Sequence, residues 1–182
     1  MSRVLLCVTG SIAAYKAADI ASKLIKEDIV VDTLMTENAC EFITPLTFST
    51  ITRNNVYIDS FAPIDDYGVE HISLAKRADI VVIAPATANI IGKMACGIAD
   101  DLMSTVLVAA HEVPTIICPA MNTAMFENPA VQENMSKLEN RGYIFVEPET
   151  GMLACGDEGK GRLAEIGIIV DLIKKVLTES GK

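Results

Sequence analysis

Three short segments carry residue types suited to covalent chemistry. Near the C-terminal end the chain reads Gly151-Met-Leu-Ala154-Cys155-Gly156-Asp-Glu-Gly159-Lys-Gly161-Arg162, one cysteine in a glycine-rich stretch. A thiol on such a mobile loop suits a lid that closes over a substrate and delivers chemistry, although an inert loop thiol has the same sequence. Upstream lies Pro119-Ala120-Met121-Asn122-Thr-Ala-Met125-Phe126-Glu-Asn-Pro129. Asn122 can hold a carboxylate or an amide, and the methionines can shape an apolar wall. An ordinary turn with its methionines in the core is the alternative. The third segment is His71-Ile-Ser-Leu, where the imidazole serves either as a base or as a structural side chain.

Two further loops offer binding groups. In Thr9-Gly10-Ser11-Ile12-Ala13, Gly10 permits a tight turn, and Ser11 can cap a helix or bond a ligand oxygen. The helix N-terminus would present N–H groups to a phosphate, or the segment is a plain strand–helix turn. No G-x-G-x-x-G is present. In Pro85-Ala86-Thr87-Ala88-Asn89 the small residues let a flat ring approach the backbone, and Thr87 and Asn89 can bond its polar edge. A bare loop with an Asn cap reads equally well. Thr36 and Phe42, after the second strand, can line the same cavity.

The elements that must position these segments alternate. Val4–Val8 reads as a strand and Ile12–Lys26 as a helix with Ala13, Ala17, Ile20 and Leu24 on one face. Ile29–Met35 is a second strand, followed by short helical segments from Glu37 and Pro45, a brief strand at Val56–Ile58 and an irregular stretch over Asp59–Gly68. Ser73–Arg77 is a helical turn, Ile80–Ala84 a buried strand, and Asp100–Ala110 a helix. Thr115–Cys118, Ala130–Arg141, Tyr143–Val146 and Glu165–Leu177 then give strand, helix, strand and helix. This order predicts one α/β domain over residues 1–182. It is a doubly wound, Rossmann- or flavodoxin-like parallel sheet with helices on both faces. The loops after Val8, Met35, Ala84 and Cys118 should converge on one crevice.

Composition narrows the partners. A formal charge of −9 disfavours nucleic acid, which needs clustered Lys and Arg, yet a small phosphorylated ligand remains compatible. Mean hydropathy is +0.36, but the richest stretch, Ile80–Cys96, is broken by Pro85, Asn89 and Lys93. Buried parallel strands explain it better than a membrane span. The five cysteines form no C-x-x-C pair, so no zinc site is expected, and a reduced, cytoplasmic protein is. His111, beside Glu112, reads as a solvated helix end.

Taken together, Gly10-Ser11-Ile12-Ala13-Ala14, His71-Ile72, Ala84-Pro-Ala-Thr-Ala-Asn89, Pro119-Ala-Met-Asn122-Thr-Ala-Met125 and Ala154-Cys155-Gly156-Asp-Glu-Gly159 resemble the flavin-containing cysteine decarboxylases, from Val4 to about Leu177. Members acting on 4′-phosphopantothenoylcysteine in coenzyme A biosynthesis are the most similar. The resemblance implies FMN, surrounded by Gly10, Ser11, Ile12, Thr36, Phe42 and Pro85 to Asn89. It implies oxidation of the substrate thiol to a thioaldehyde, loss of CO₂, and reduction of the enethiolate to 4′-phosphopantetheine. His71 would assist thiol oxidation, Asn122 hold the substrate carboxylate or amide, and Cys155 donate a proton. Lys76, Ala120, Met121, Met125, Ala154 and Gly156 would contact substrate. A homotrimer, or an assembly of trimers, is implied as well.

Phe126 stands where the family usually has Trp, and Arg77 where many relatives carry an aromatic residue. The chain's end at Lys182 suggests a stand-alone decarboxylase rather than a ligase fusion. The rival readings are a decarboxylase of peptide C-terminal cysteine, a flavin prenyltransferase, an electron-transfer flavoprotein and a non-catalytic, flavin-binding regulatory subunit.

Overall fold

In strand β1 (Arg3–Val8), Val4, Leu6 and Val8 enter one hydrophobic core while Leu5 and Cys7 enter another. This period-2 alternation with both faces apolar is what a strand covered by helices on each side requires. The computed structural model describes residues 1–58, 70–152, 156 and 158–181. Around β1 it builds a six-stranded, all-parallel sheet in the order β3-β2-β1-β4-β5-β6. The other strands are β2 (Val30–Met35), β3 (Val56–Tyr57), β4 (Ile80–Ala86), β5 (Thr115–Pro119) and β6 (Ile144–Phe145).

One face is covered by α1 (Ala14–Lys26) and α9 (Ile166–Glu179), with α2 (Glu37–Cys40) and α3 (Pro45–Thr52) at its margin. Ala14, Ala17, Ile20, Ala21 and Leu24 of α1 are buried there, the spacing of a helical stripe. The opposite face carries α4 (Glu70–Arg77), α5 (Ala88–Cys96), α6 (Leu102–Ala109), α7 (Thr123–Phe126) and α8 (Pro129–Glu139). Among the described residues no helix is long and apolar enough to cross a membrane.

Chain order reverses between β1 and β4, so the loops leaving their carboxyl ends diverge and open a crevice, the usual ligand position in such sheets. The doubly wound expectation therefore holds, with some differences in its elements. The Ile80–Cys96 stretch is a strand followed by helix α5, begun by the Thr87 cap and ended by Gly97 at φ +69°. Apolar content alone could not separate the two. The glycine-rich C-terminal stretch is flanked by an antiparallel hairpin, β7 (Glu149–Met152) with β8 (Glu158–Arg162). The irregular Asp59–Gly68 stretch lies outside the described residues.

Arg77, at the end of α4, has a structural explanation. Its Nε donates to the buried carboxylate of Asp32 at 2.9 Å and a second nitrogen donates to the Tyr57 hydroxyl at 2.9 Å. Arg3 reaches the same Asp32 oxygen at 2.9 Å. Burial works against the Arg77 charge, yet the Tyr57 and Asp32 contacts outweigh it and raise the guanidinium's pKa. Phe126 is buried beneath the Lys160 ammonium, 5.3 Å from the ring centre.

Candidate active site

The loops that follow β1 and β4 are tied by one hydroxyl. Thr9, 1 % exposed, donates to the Pro85 carbonyl at 2.7 Å and accepts from the Thr87 N–H at 3.1 Å. The next loop joins through Thr36, whose N–H donates to Val8 O while its Oγ1 caps α2 by accepting from Ala39 N at 3.2 Å. Gly10 is fixed by this closure. A Cβ there would stand 2.6 Å from Asn38 Cβ, so the glycine answers to packing between loops. Ser11 accepts from the Ala13 N–H at 3.3 Å, and the helix proper begins only at Ala14.

The loop after β5 is held from both sides. Ala120 N donates to Ala86 O, and Met121 N donates to Gly161 O on the hairpin, each at 3.0 Å. Asn122 then caps α7, its Oδ1 accepting from Ala124 N at 2.8 Å. The hairpin lies so close that a Cβ on Gly161 would overlap the Met121 carbonyl oxygen, and one on Gly159 the Thr123 hydroxyl. That hydroxyl is buried without a hydrogen-bond partner among the described residues.

The loops after Val8, Met35, Ala84 and Cys118 converge on one cavity, as expected, and a second cavity lies at Ser11 and Asn122. The first, about 520 Å³, is lined by Gly10, Thr36, Thr87, Ala88, Asn89 and Met125 from the expected set. It adds Thr9, Asn38 and Met103, and a charged corner of Glu37, Lys93, Asp100 and Asp101 that sequence reasoning missed. Lys93 Nζ contacts both Asp100 and Asp101 at 2.6 Å. The Asp100 contact, then that of Asp101, raises the Lys93 pKa. Lys93 in turn holds Asp100 low; at Asp101 burial pushes the other way but is outweighed by Lys93 and Ser104. The Asp101–Ser104 capping box is visible in the sequence as D-x-x-S and marks this corner.

The second cavity, about 630 Å³, gathers Ser11, Ile12, Ala120, Met121 and Asn122. Tyr15, Lys16, Met152 and Arg162 line it too, and had not been singled out. Pro85 and Ala86 are buried beneath the sites, as the end of β4. Phe42, 49 % exposed, lines neither cavity. Nor do His71, half-buried on α4, and Lys76, exposed on the same helix. Gly156 is exposed at φ +89°. Ala154 and Cys155 lie outside the described residues. Cys7 and Cys118 are buried in strands, and burial pushes both thiols far up, which makes them inert. His111 is largely exposed, 3.8 Å from Glu112.

A family model described as Flavoprotein matches residues 1–178. The chain is 50% identical over 176 residues to the coenzyme A biosynthesis bifunctional protein CoaBC of Bacillus subtilis. That match covers 97% of this chain and 43% of the relative, so the chain spans less than half the relative's length. It is 44% identical over 176 residues to the probable phosphopantothenoylcysteine decarboxylase of Streptococcus mutans, covering 96% and 98%. Among solved structures, a variant PPC decarboxylase complexed with pantothenoylaminoethenethiol matches at a TM-score of 0.85 and 31% identity, over 96% of this chain and 97% of that one. The FMN-dependent cysteine decarboxylase SpaF matches at 0.87 and 32%, over 100% and 98%.

Proposed function

This chain belongs to the flavoprotein family, and from that premise we propose that it is an FMN-dependent decarboxylase converting 4′-phosphopantothenoylcysteine to 4′-phosphopantetheine in coenzyme A biosynthesis. The observation that carries the reading is the adjacency of two cavities. One is lined by hydroxyls and amides, the other by the clamped Asn122 loop. Both volumes fall in the roughly 300–1,000 Å³ range of small-molecule sites.

The first cavity fits FMN by its donor set. Thr36, Thr87, Asn38 and Asn89 supply donors and acceptors for carbonyl, ring-nitrogen and ribityl groups, and Ala88 permits close approach of a ring. Ser11 and Ile12, which line the second cavity, would border the same ligand from the loop between β1 and α1. When bound, FMN supplies a two-electron acceptor that later returns the pair.

The remaining work belongs to the protein. The substrate CH₂–SH group loses two electrons and two protons to become a thioaldehyde, and His71 assists as base or by holding the thiol. The carboxylate is then β to C=S, so the C–C bond can break with its electron pair accepted by sulfur as CO₂ leaves. Asn122 holds that carboxylate. Its amide oxygen caps α7, and the NH₂ end has the polarity suited to an anion. Return of two electrons and three protons to the enethiolate, one proton from Cys155, gives the product thiol. Ala120, Met121 and Met125 flank the reacting end, and Gly156 and Ala154 adjoin Cys155.

Because His71 lines neither cavity within one chain, the complete site takes it from α4 of a neighbouring copy. This supports a homotrimer or an assembly of trimers. The buried thiols of Cys7 and Cys118 suit the reducing cytoplasm.

The test is mass spectrometry of protein, FMN and substrate. A product lighter by about 44 Da, the mass of CO₂, is expected. Cys155→Ser should accumulate the enethiol, and His71→Asn should leave the flavin oxidised. Protein that stays colourless with excess FMN, or unchanged substrate mass, overturns the proposal.

A further inference from the structure

The two cavities differ in sign. Glu37, Asp100 and Asp101 line the first, whose one cation, Lys93, is already shared by two carboxylates. Among the described residues, the charged side chains lining the second are Lys16 and Arg162, in a chain with 24 Asp and Glu against 15 Lys and Arg. Among the described residues, neither Lys16 nor Arg162 is ion-paired. Two unpaired cations facing a cavity inside an acidic protein form a local attractive field for an anion.

The hairpin makes room for one of them. Gly151 pairs across from Gly159, and a Cβ at Gly151 would stand 2.6 Å from Arg162 Nη1. The guanidinium thus lies over the Gly151 backbone, in space a side chain would take. Around the mouth, Ile12, Tyr15 and Met152 are 58%, 60% and 66% exposed, apolar surface that a flexible aliphatic arm would cover. At the same cavity stands Asn122.

We propose that Lys16 and Arg162 form a phosphate-monoester site that grips the phosphate of the substrate while Asn122 holds its carboxylate. The inference rests on the decarboxylase reading above. Arg162 contributes a planar fork that can bond two phosphate oxygens, and Lys16 a point charge. Lys93 in the first cavity is already shared by Asp100 and Asp101, so the cations open to the substrate's phosphate are those of the second. The arm joining phosphate to carboxylate then runs past Tyr15 and Met152.

The test compares phosphorylated with dephosphorylated compounds. Wild type, Arg162→Met and Lys16→Met are assayed for kcat/KM on phosphopantothenoylcysteine and pantothenoylcysteine. Titration calorimetry with the products phosphopantetheine and pantetheine reads binding without chemistry. Lys23→Met, an exposed lysine on α1 that lines neither cavity, is the control. Each cavity variant should lower the preference for the phosphorylated compound by about tenfold, chiefly through KM, in line with loss of one charge-assisted hydrogen bond. Arg162→Lys should recover part of it, and the control should retain the wild-type ratio. FMN affinity, read by flavin fluorescence, should change by less than about twofold. An unchanged ratio in both cavity variants overturns the proposal. A loss of FMN affinity with the substrate ratio preserved also overturns it, because the flavin phosphate would then own the site. If wild type turns over neither compound, the decarboxylase reading itself fails and takes this inference with it.

Discussion

Replacing Gly161 with alanine tests whether the hairpin and the Asn122 loop act as one unit. The new methyl would overlap the Met121 carbonyl oxygen, with Met121 C at 3.3 Å and Asn122 C at 3.5 Å, all backbone atoms that no rotamer change relieves. Gly161 also sits at φ +150°, unfavourable for a side chain. If the contact held, overpacking would cost roughly 1–3 kcal/mol and the strained φ roughly 1 kcal/mol more. The bond it must defend, Met121 N to Gly161 O, is worth only about 0.5–1.5 kcal/mol. Separation is therefore cheaper than compression. The hairpin should lift from the loop while both cores on the sheet stay intact.

Hydrogen exchange should show faster exchange of the Met121 amide and of β7 and β8. The melting temperature should fall by only about 1–6 °C, at 2–4 °C per kcal/mol for a domain of this size. Decarboxylation should drop by about 100-fold, the scale expected when a reacting group is displaced by an ångström. Wild-type exchange at Met121 together with wild-type turnover would refute the reasoning, because the alanine would then fit without moving anything.

Asp32→Ala should leave Arg3 and Arg77 facing a buried gap and cost about 3 kcal/mol, or roughly 6–12 °C in Tm; a shift under about 2 °C would refute it. Lys93→Met should remove the partner that holds Asp100 and Asp101 low. Their folded pKa values are depressed, so the stability they contribute exists above the ordinary carboxylate range near about 4 and is lost as pH falls through the lower folded values. The gap in urea midpoint between wild type and Lys93→Met should accordingly be full at pH 7 and close toward pH 3; a constant gap would refute the linkage. Gly92→Ala, inside α5 with its nearest neighbour Asn134 Nδ2 at 3.7 Å, should stabilise by about 0.5–1 kcal/mol, visible as a Tm rise of roughly 1–4 °C.

Sequence patterns located β1, β2, β4 and β5 because each is an apolar run bounded by turn residues, and a parallel sheet demands such runs locally. They also located the residues after those strands, since crossover handedness puts every strand's carboxyl end on one edge. Helix α5 escaped notice because its apolar residues continue directly from β4, and buried helix and buried strand have the same composition. The β7–β8 hairpin escaped because its glycines read as flexibility. Gly159 and Gly161 are in fact sites where another backbone or side chain presses close.

Local order thus decided the fold: strand–helix alternation and helix stripes are written at spacings of two to four residues, within reach of a single segment's own pattern. The placing of Asn122, Thr36 and Thr87 in loops at the sheet's edge followed from that alone, whereas Asn89 lies in the first turn of α5. Pairings between distant segments were decided only by the tertiary structure. It alone showed that Gly10 yields to Asn38, that Arg77 answers Asp32, and that a second cavity of opposite sign, with Lys16 and Arg162, accompanies the expected one. Such contacts join residues tens of positions apart, and their energies depend on which surfaces meet after folding, a quantity no local spacing encodes.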